Sequence, residues 1–334
     1  MAKGRIRSAI KKKIRGRKTV EKSAEKSAEK SGARRRPLKF ATVRVMKRLG
    51  TMKQALHALE DQLKLQRFKI RDFAPKVSIS VKKGHFTVKT VENGTELEEV
   101  LRLRFEVFNR EYMGKNRTLG VDVDKLDFIC DHLVIRDDRS GKVVGTYRLN
   151  SSLFSDRFYS SGEFKFDKIK AMPGNILELG RAAIDKDFRT GAVIALLWRG
   201  ISEYMQLTKT DILLGCASVK TIDPLQIGLV TQYLENQGVL KYDLDVEPTR
   251  KYRVKRLSKV LDYIDKHPFE YDEKAIAEMI PALFASYIKM GFKAYGEPAL
   301  DLDFHCIDFL IMIPLDELQG AYSRRYNSPK DAPT

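Results

Sequence analysis

The sequence predicts an α/β fold in which a mixed sheet is flanked by helices and preceded by a basic arm and an amphipathic helix. Three observations predict it. First, a strand pattern at 176–184, a strongly apolar helical stretch at about 192–207 and a buried strand pattern at 212–219 follow one another, the order of a parallel strand–helix–strand unit. Second, 132–136 and 142–149 flank the turn Asp137-Asp138-Arg139-Ser140-Gly141, which makes an antiparallel hairpin. Third, no G-x-G-x-x-G is present, which disfavours a doubly wound dinucleotide fold.

At the N-terminus, charge dominates. Residues 1–48 hold 19 of the 62 Lys and Arg residues but only 3 of the 44 Asp and Glu residues, so the formal charge of +18 belongs mostly to this arm. The body after Arg48 is nearly neutral. Residues 1–36 are expected to be a disordered arm and linker, because the run EKSAEKSAEKS offers almost nothing apolar to bury. Over 37–72, Val45, Leu49, Met52, Leu56, Leu59 and Leu63 recur at spacings of four and three with Lys47, Arg48, Lys53 and Lys64 among them, predicting one basic amphipathic helix. Residues 1–68 would therefore dock on an anionic membrane surface, with packing on the main domain as the plainer alternative. A transit peptide is the competing reading of the first twenty residues. Nucleic-acid binding through the arm is a further alternative, but it is disfavoured because aromatics are nearly absent before Phe40.

No stretch of eighteen apolar residues exists, and the three cysteines are odd in number and scattered, which excludes a membrane span, a disulfide framework and a Cys-based zinc site. His85 and His305-Cys306 lack metal-ligand spacing, so no metal is expected. A cytoplasmic protein, peripheral on the inner membrane face, fits these features. Alternation at Val77, Ile79 and Val81 and again at 86–91 predicts two short strands. Thr95 and Glu98 then have capping-box spacing ahead of a helix reaching about Tyr112. Near the C-terminus a helix is expected from about Asp272 to Met290, then a strand over 303–313, then a loose tail over 317–334. The catalytic domain would span 75–316.

Several motifs fall in a recognisable order: Asp131-His132-Leu133, Val144-Gly145-Thr146-Tyr147-Arg148-Leu149, Glu178-Leu179-Gly180-Arg181, Leu196-Leu197-Trp198-Arg199-Gly200, PALFASYIKMG at 281–291, Glu297-Pro298-Ala299-Leu300-Asp301 and Asp303-Phe304. From about Asn93 to Pro314 the chain resembles the ornithine-lipid synthases, a family of ornithine N-acyltransferases often labelled hemolysin-like. The resemblance implies a GNAT-like fold and an enzyme joining an acyl thioester to an amine. More distantly the chain is similar to acyl-homoserine lactone synthases. Their pattern matches Arg104 with Phe108, Asp124 with Asp127, Arg148, and Glu178 with Arg181.

The implied reaction transfers a (3-hydroxy)fatty acyl group from acyl carrier protein to the α-amine of ornithine or a related amino acid such as glycine. This is the first step of an aminolipid synthesis that a second O-acyltransferase would complete. Signal synthesis, of an N-acyl amino acid or an acyl-homoserine lactone, is the alternative enzyme reading. An α-amine is largely protonated at neutral pH, so a proton acceptor is needed. Glu178 is the candidate, because burial between Leu177 and Leu179 favours a carboxyl that can take up a proton; an ion pair with Arg181 is the plain alternative. Arg104 and Arg148 are candidates to grip the acceptor carboxylate, and Asp124 or Asp127 to hold an ornithine ammonium, although mutual salt bridges would occupy the same four residues. The carrier's phosphate would sit at the helix N-terminus near Lys186, Arg189 and Gly191. Only one glycine is present in that loop, which favours acyl carrier protein over acyl-CoA as donor, with no permanently bound cofactor. Direct transfer is favoured over a thiol nucleophile at Cys130 beside His132.

Overall fold

The computed structural model describes residues 69–114, 120–267 and 271–318. The basic arm and nearly all of the expected amphipathic helix lie outside the described residues. Among the described residues no helix is long and apolar enough to cross a membrane.

The chain begins with the hairpin β1 (Ser80–Lys83) and β2 (Phe86–Thr90). Val77 and Ile79 precede the first strand rather than forming it. Helix α1 (Gly94–Arg104) follows, and its cap is Asn93, not the expected Thr95: the Asn93 side chain accepts from Thr95 N at 3.0 Å and Glu96 N at 3.1 Å. The Asn93-Gly94 pair is therefore the helix start. From Phe105 to Tyr112 the helix continues in π-helical form, a geometry that often accompanies functional sites.

The expected hairpin is β3 (Asp131–Asp137) and β4 (Val143–Ser151). A small strand β5 (Phe164–Lys165) and a helical turn α2 (Asp167–Lys170) lead to β6 (Asn175–Ile184), the apolar helix α3 (Gly191–Leu207) and β7 (Thr210–Val219). Strands β6 and β7 are parallel, as the intervening helix requires. Helix α4 (Pro224–Asn236), short strands β8 (Leu240–Lys241) and β9 (Glu247–Pro248) and helix α5 (Leu257–Lys266) come next.

The single helix expected over 272–290 is two: α6 (Glu273–Glu278) and α7 (Ala282–Met290). Pro281 separates them, having no N–H to donate into a continuous helix and fixing an extended backbone at φ −61°, ψ 148°. The final hairpin is β10 (Lys293–Asp301) and β11 (Cys306–Pro314), so the expected strand starts three residues late. The tail's boundary also shifts, since Leu318 is buried in the core.

Nine strands form one mixed sheet in the order β1-β2-β3-β4-β6-β7-β11-β10-β8, while β5 and β9 pair separately. The pleat sorts side chains to two faces. Leu177, Leu179 and Leu213 join Val193, Leu197 and Ile201 of α3 in one cluster; Ile176, Ile212 and Leu214 join Phe164, Phe166 and Val246 in another. A third cluster packs Leu97, Val100 and Leu101 of α1 on Val134.

Pairing of β6 with β7 ends at Leu179 and Gly215. A Cβ on Gly215 would sit 2.6 Å from the Leu179 carbonyl oxygen, so only glycine lets the two backbones approach there. Gly215→Ala is expected to cost about 1–3 kcal/mol as overpacking. The check is a lower denaturant midpoint with an unchanged slope.

Candidate active site

Where β6 and β7 part, a cavity of about 260 Å³ opens. It is walled by the π-helical turn (Phe108, Tyr112), by β4 (Tyr147, Arg148), by β6 from Glu178 to Ala182, and by β7 and the last hairpin. Strand β6 carries a bulge here: Gly180 pairs with Arg148 and Ala183 with Thr146, so Arg181 and Ala182 together face Tyr147. Arg181 takes φ +51°, a left-handed conformation that costs a non-glycine residue energy. Strict alternation would put Glu178 and Arg181 on opposite faces, and the bulge brings both to the cavity.

Three arginines and three aspartates form a buried network behind this wall. Arg104 is fully buried and grips Asp122 from Nε at 2.9 Å and Nη2 at 2.7 Å, and Asp127 from Nη1 at 2.6 Å. Arg148 Nη1 donates to Asp124 at 2.7 Å and to Asp127 at 3.0 Å, and Arg181 Nη2 donates to Asp124 at 3.1 Å. Asp124 and Asp127 also make a reciprocal capping box at the 3-10 turn Lys125–Phe128, which ties the loop to the network. Burial pushes the Asp127 carboxyl up, but the Arg104 and Arg148 guanidiniums outweigh it and hold the group well below the usual carboxylate range.

These pairings correct two expectations. Arg104 and Asp127 are sealed in the network and do not line the cavity, so neither is placed to touch an acceptor. Asp124 and Asp127, expected to hold an ammonium, are already neutralised by arginines. Arg148, Phe108, Glu178 and Arg181 do line the cavity. Arg181 keeps its Nε without a hydrogen-bond partner, 3.9 Å from Asp122, and its guanidinium lies 5.2 Å from the ring centroids of both Tyr159 and Phe304.

Glu178 does not pair with Arg181. Its carboxylate accepts from Tyr159 N at 2.7 Å, Ser160 N at 2.8 Å and Ser160 Oγ at 2.7 Å, which pins the 159–162 turn against the cavity. Lys186, Arg189 and Gly191 sit outside the cavity, at the entrance to α3, whose cap Thr190 accepts from Val193 N. Lys186 is exposed, and Arg189 is bound to Glu111 at 2.5 and 2.6 Å. Burial pushes the Cys130 thiol up to about 12 and His132 down to about 4, which disfavours a Cys130 thiolate and a charged His132 partner at neutral pH. His132 Nε2 donates to the Asp127 carbonyl at 2.9 Å.

Sequence reasoning missed the opposite wall. Glu163, Asp301 and Asp308 place one carboxylate oxygen each within 4.8 Å of one another, and Asp301 and Asp308 line the cavity. The available signal was Asp308 itself, an acid inside the apolar run Cys306–Pro314. Burial and the charge of Asp308 push Glu163 up to about 9. Burial, with Asp301 beside it, pushes Asp308 up to about 6 despite the Ser218 hydroxyl donating to it.

The chain matches the acetyltransferase (GNAT) domain family over residues 103–199. It is 26% identical to the L-ornithine Nα-acyltransferase of Brucella abortus, over 73% of this chain and 90% of that one. The same identity holds to the enzyme of that name from Agrobacterium fabrum, over 73% and 85%. Among solved structures it is similar to the acyl-homoserine lactone synthase LasI, at 15% identity and a TM-score of 0.39, covering 73% of this chain and 95% of that one. The domain match and the curated relatives bear out the resemblance read from the motifs: the chain is an N-acyltransferase with a GNAT-type α/β fold.

Removing Arg104 would leave Asp122 without its hydrogen-bonded arginine and the buried Asp127 with Arg148 alone. Arg104→Ala is expected to destabilise by about 3–5 kcal/mol in denaturant titration, far more than loss of the exposed Arg189–Glu111 pair. The acids set opposite pH trends. Asp127, depressed in the folded protein, contributes stability above its ordinary 3.8 that is lost as acid protonates it. Glu163 and Asp308 are raised, so between about pH 5 and 9 the folded chain holds protons that the unfolded chain has released, and stability falls as pH rises. Glu163→Gln should flatten that alkaline decline in thermal melts taken across this range.

Proposed function

We propose that this N-acyltransferase moves a (3-hydroxy)fatty acyl group from acyl carrier protein to the α-amine of ornithine or a related amino acid, the first step of an aminolipid synthesis. The observation that carries the reading is Arg181: a partly buried, strained arginine on the cavity wall whose Nε has no hydrogen-bond partner. With Arg148 behind it, Arg181 offers an acceptor carboxylate a charge-assisted grip. The curated relatives, named for an Nα-acylation of L-ornithine, support the same acceptor class.

The carrier's pantetheine arm would enter where β6 and β7 part, bringing the thioester to the bulge at Arg181 and Ala182. Backbone amides freed from the ladder by the bulge would meet the carbonyl oxygen as it gains charge. The α-nitrogen attacks the thioester carbon, a C–N bond forms, the C–S bond breaks, and the carrier leaves as its thiol after taking up a proton. Glu178 receives the proton lost by the amine, through one water, its carboxylate fixed by three donors from the 159–160 turn. Lys186 and Arg189, at the N-terminus of α3, would meet the carrier's phosphate or acidic surface. The product, a single-chain acyl amino acid with a free hydroxyl, would be consumed by an O-acyltransferase. Residues 1–68 would hold the enzyme on an anionic membrane face, where such a product is used.

Mass spectrometry of lipids from bacteria expressing the chain is expected to show a new N-acylated ornithine or related amino acid. Purified enzyme should prefer acyl carrier protein to acyl-CoA. Glu178→Gln is expected to lower kcat by about 10²–10⁴-fold. If kcat is retained, the proton acceptor is another group. Arg181→Lys, which loses the planar fork, should raise KM for the amino acid about tenfold while the donor KM stays unchanged.

A further inference from the structure

We infer that Glu163, Asp301 and Asp308 form the subsite that binds the side-chain ammonium of the acceptor, selecting a diamino acid over a neutral one. The inference deepens, and rests on, the acyltransferase reading above.

The three acids come from three places in the fold: the turn before β5, the end of β10 and the start of β11. All are buried, at 2%, 4% and 4% exposure, yet among the described residues no lysine or arginine forms an ion pair with any of them. Buried carboxylates are ordinarily paired, because leaving one uncompensated is costly. The contrast with the opposite wall is direct, since every aspartate there is matched by an arginine.

A second observation points to a missing guest. Glu163 is almost wholly buried, yet neither of its oxygens makes a close, well-aligned hydrogen bond; its polar neighbours are the Tyr159 hydroxyl and the Asp308 carboxyl, and no cation faces it among the described residues. An ammonium donates three hydrogen bonds in a tetrahedral arrangement, and at about 2.8 Å from nitrogen its acceptors stand about 4.6 Å apart. The three carboxylates are close enough to share one such guest, since all three ligand oxygens lie within 4.8 Å of one another.

The cavity then fits one zwitterion with an added cation. Its carboxylate lies toward Arg181, its α-nitrogen toward the bulge, and its ω-ammonium toward Asp301 and Asp308, with Glu163 behind them. A divalent cation suits the cluster less well, because Asp301 Oδ1 already accepts from Asp303 N at 2.7 Å and Phe304 N at 3.1 Å.

The test compares L-ornithine with L-norvaline, the same carbon chain without the terminal amine, using the full chain. Wild-type enzyme is expected to favour ornithine by about 100-fold or more in kcat/KM, the scale of a site whose buried acceptors go unpaired with the wrong substrate. Asp308→Asn should bring ornithine down to within a few-fold of norvaline, so that the kcat/KM ratio between the two collapses. Asp301→Asn provides a second variant, and circular dichroism melts confirm that each folds. Calorimetric titration with ornithine, norvaline and CaCl2 separates the outcomes. Equal use of ornithine and norvaline by the wild type would falsify the subsite while leaving the acyltransferase standing. Selective ornithine binding that Asp308→Asn abolishes, with no amino acid acylated, would keep the subsite and remove the transferase reading. Tight calcium binding lost in Asp308→Asn would reassign the cluster to a metal.

Discussion

The site depends on the buried network of Arg104, Arg148 and Arg181 with Asp122, Asp124 and Asp127. Each partner comes from a different part of the chain: α1, the 122–127 loop, β4 and β6. Equal numbers of opposite charges let such a cluster be buried without a large desolvation deficit, provided the geometry holds. That condition makes it a positional constraint. None of the four segments can shift without separating a pair, so the backbone strain at Arg181 is sustained by the ion pairs rather than relieved.

Much of this was legible in the sequence. The hairpin around 137–141 announces itself by its turn residues, and α3 and β7 by unbroken apolar runs. The resemblance to the acyl-homoserine lactone synthases, carried by Arg104, Phe108, Asp124, Asp127, Arg148, Glu178 and Arg181, picks out neighbours that do converge. Their division of labour was not legible, because spacing shows which side chains meet and says nothing about which of them water or substrate can reach. Arg104 and Asp127 are sealed while Arg148 and Arg181 are not, and that difference is set by α1 covering one end of the network.

Other elements were hidden for local reasons. The bulge at Arg181 has no glycine or proline at its apex to betray it. Pro281 sits within a helical pattern whose periodicity continues through it, so the split between α6 and α7 is visible only in the backbone. Glu163 lies in the undistinguished stretch Ser161-Gly162-Glu163-Phe164, and only the tertiary fold sets it against Asp308. Buried charge is where single-sequence reasoning is weakest, since a lone acid reads as surface until its surroundings are known.

The last hairpin has a consequence for how the enzyme can diversify. Strands β10 and β11 meet through a tight connection; Asp301 ends β10 and Asp308 is the third residue of β11, only seven positions on in the chain. The groups we propose to handle the thioester belong to β6 and to the entrance of α3, encoded more than a hundred residues earlier. A short exchange of gene sequence over 301–308 could therefore alter the charge that the pocket tolerates in one partner of the reaction while the other partner's machinery is inherited intact. Lineages built on this scaffold have a ready route for drifting among head groups without first losing their hold on the acyl chain.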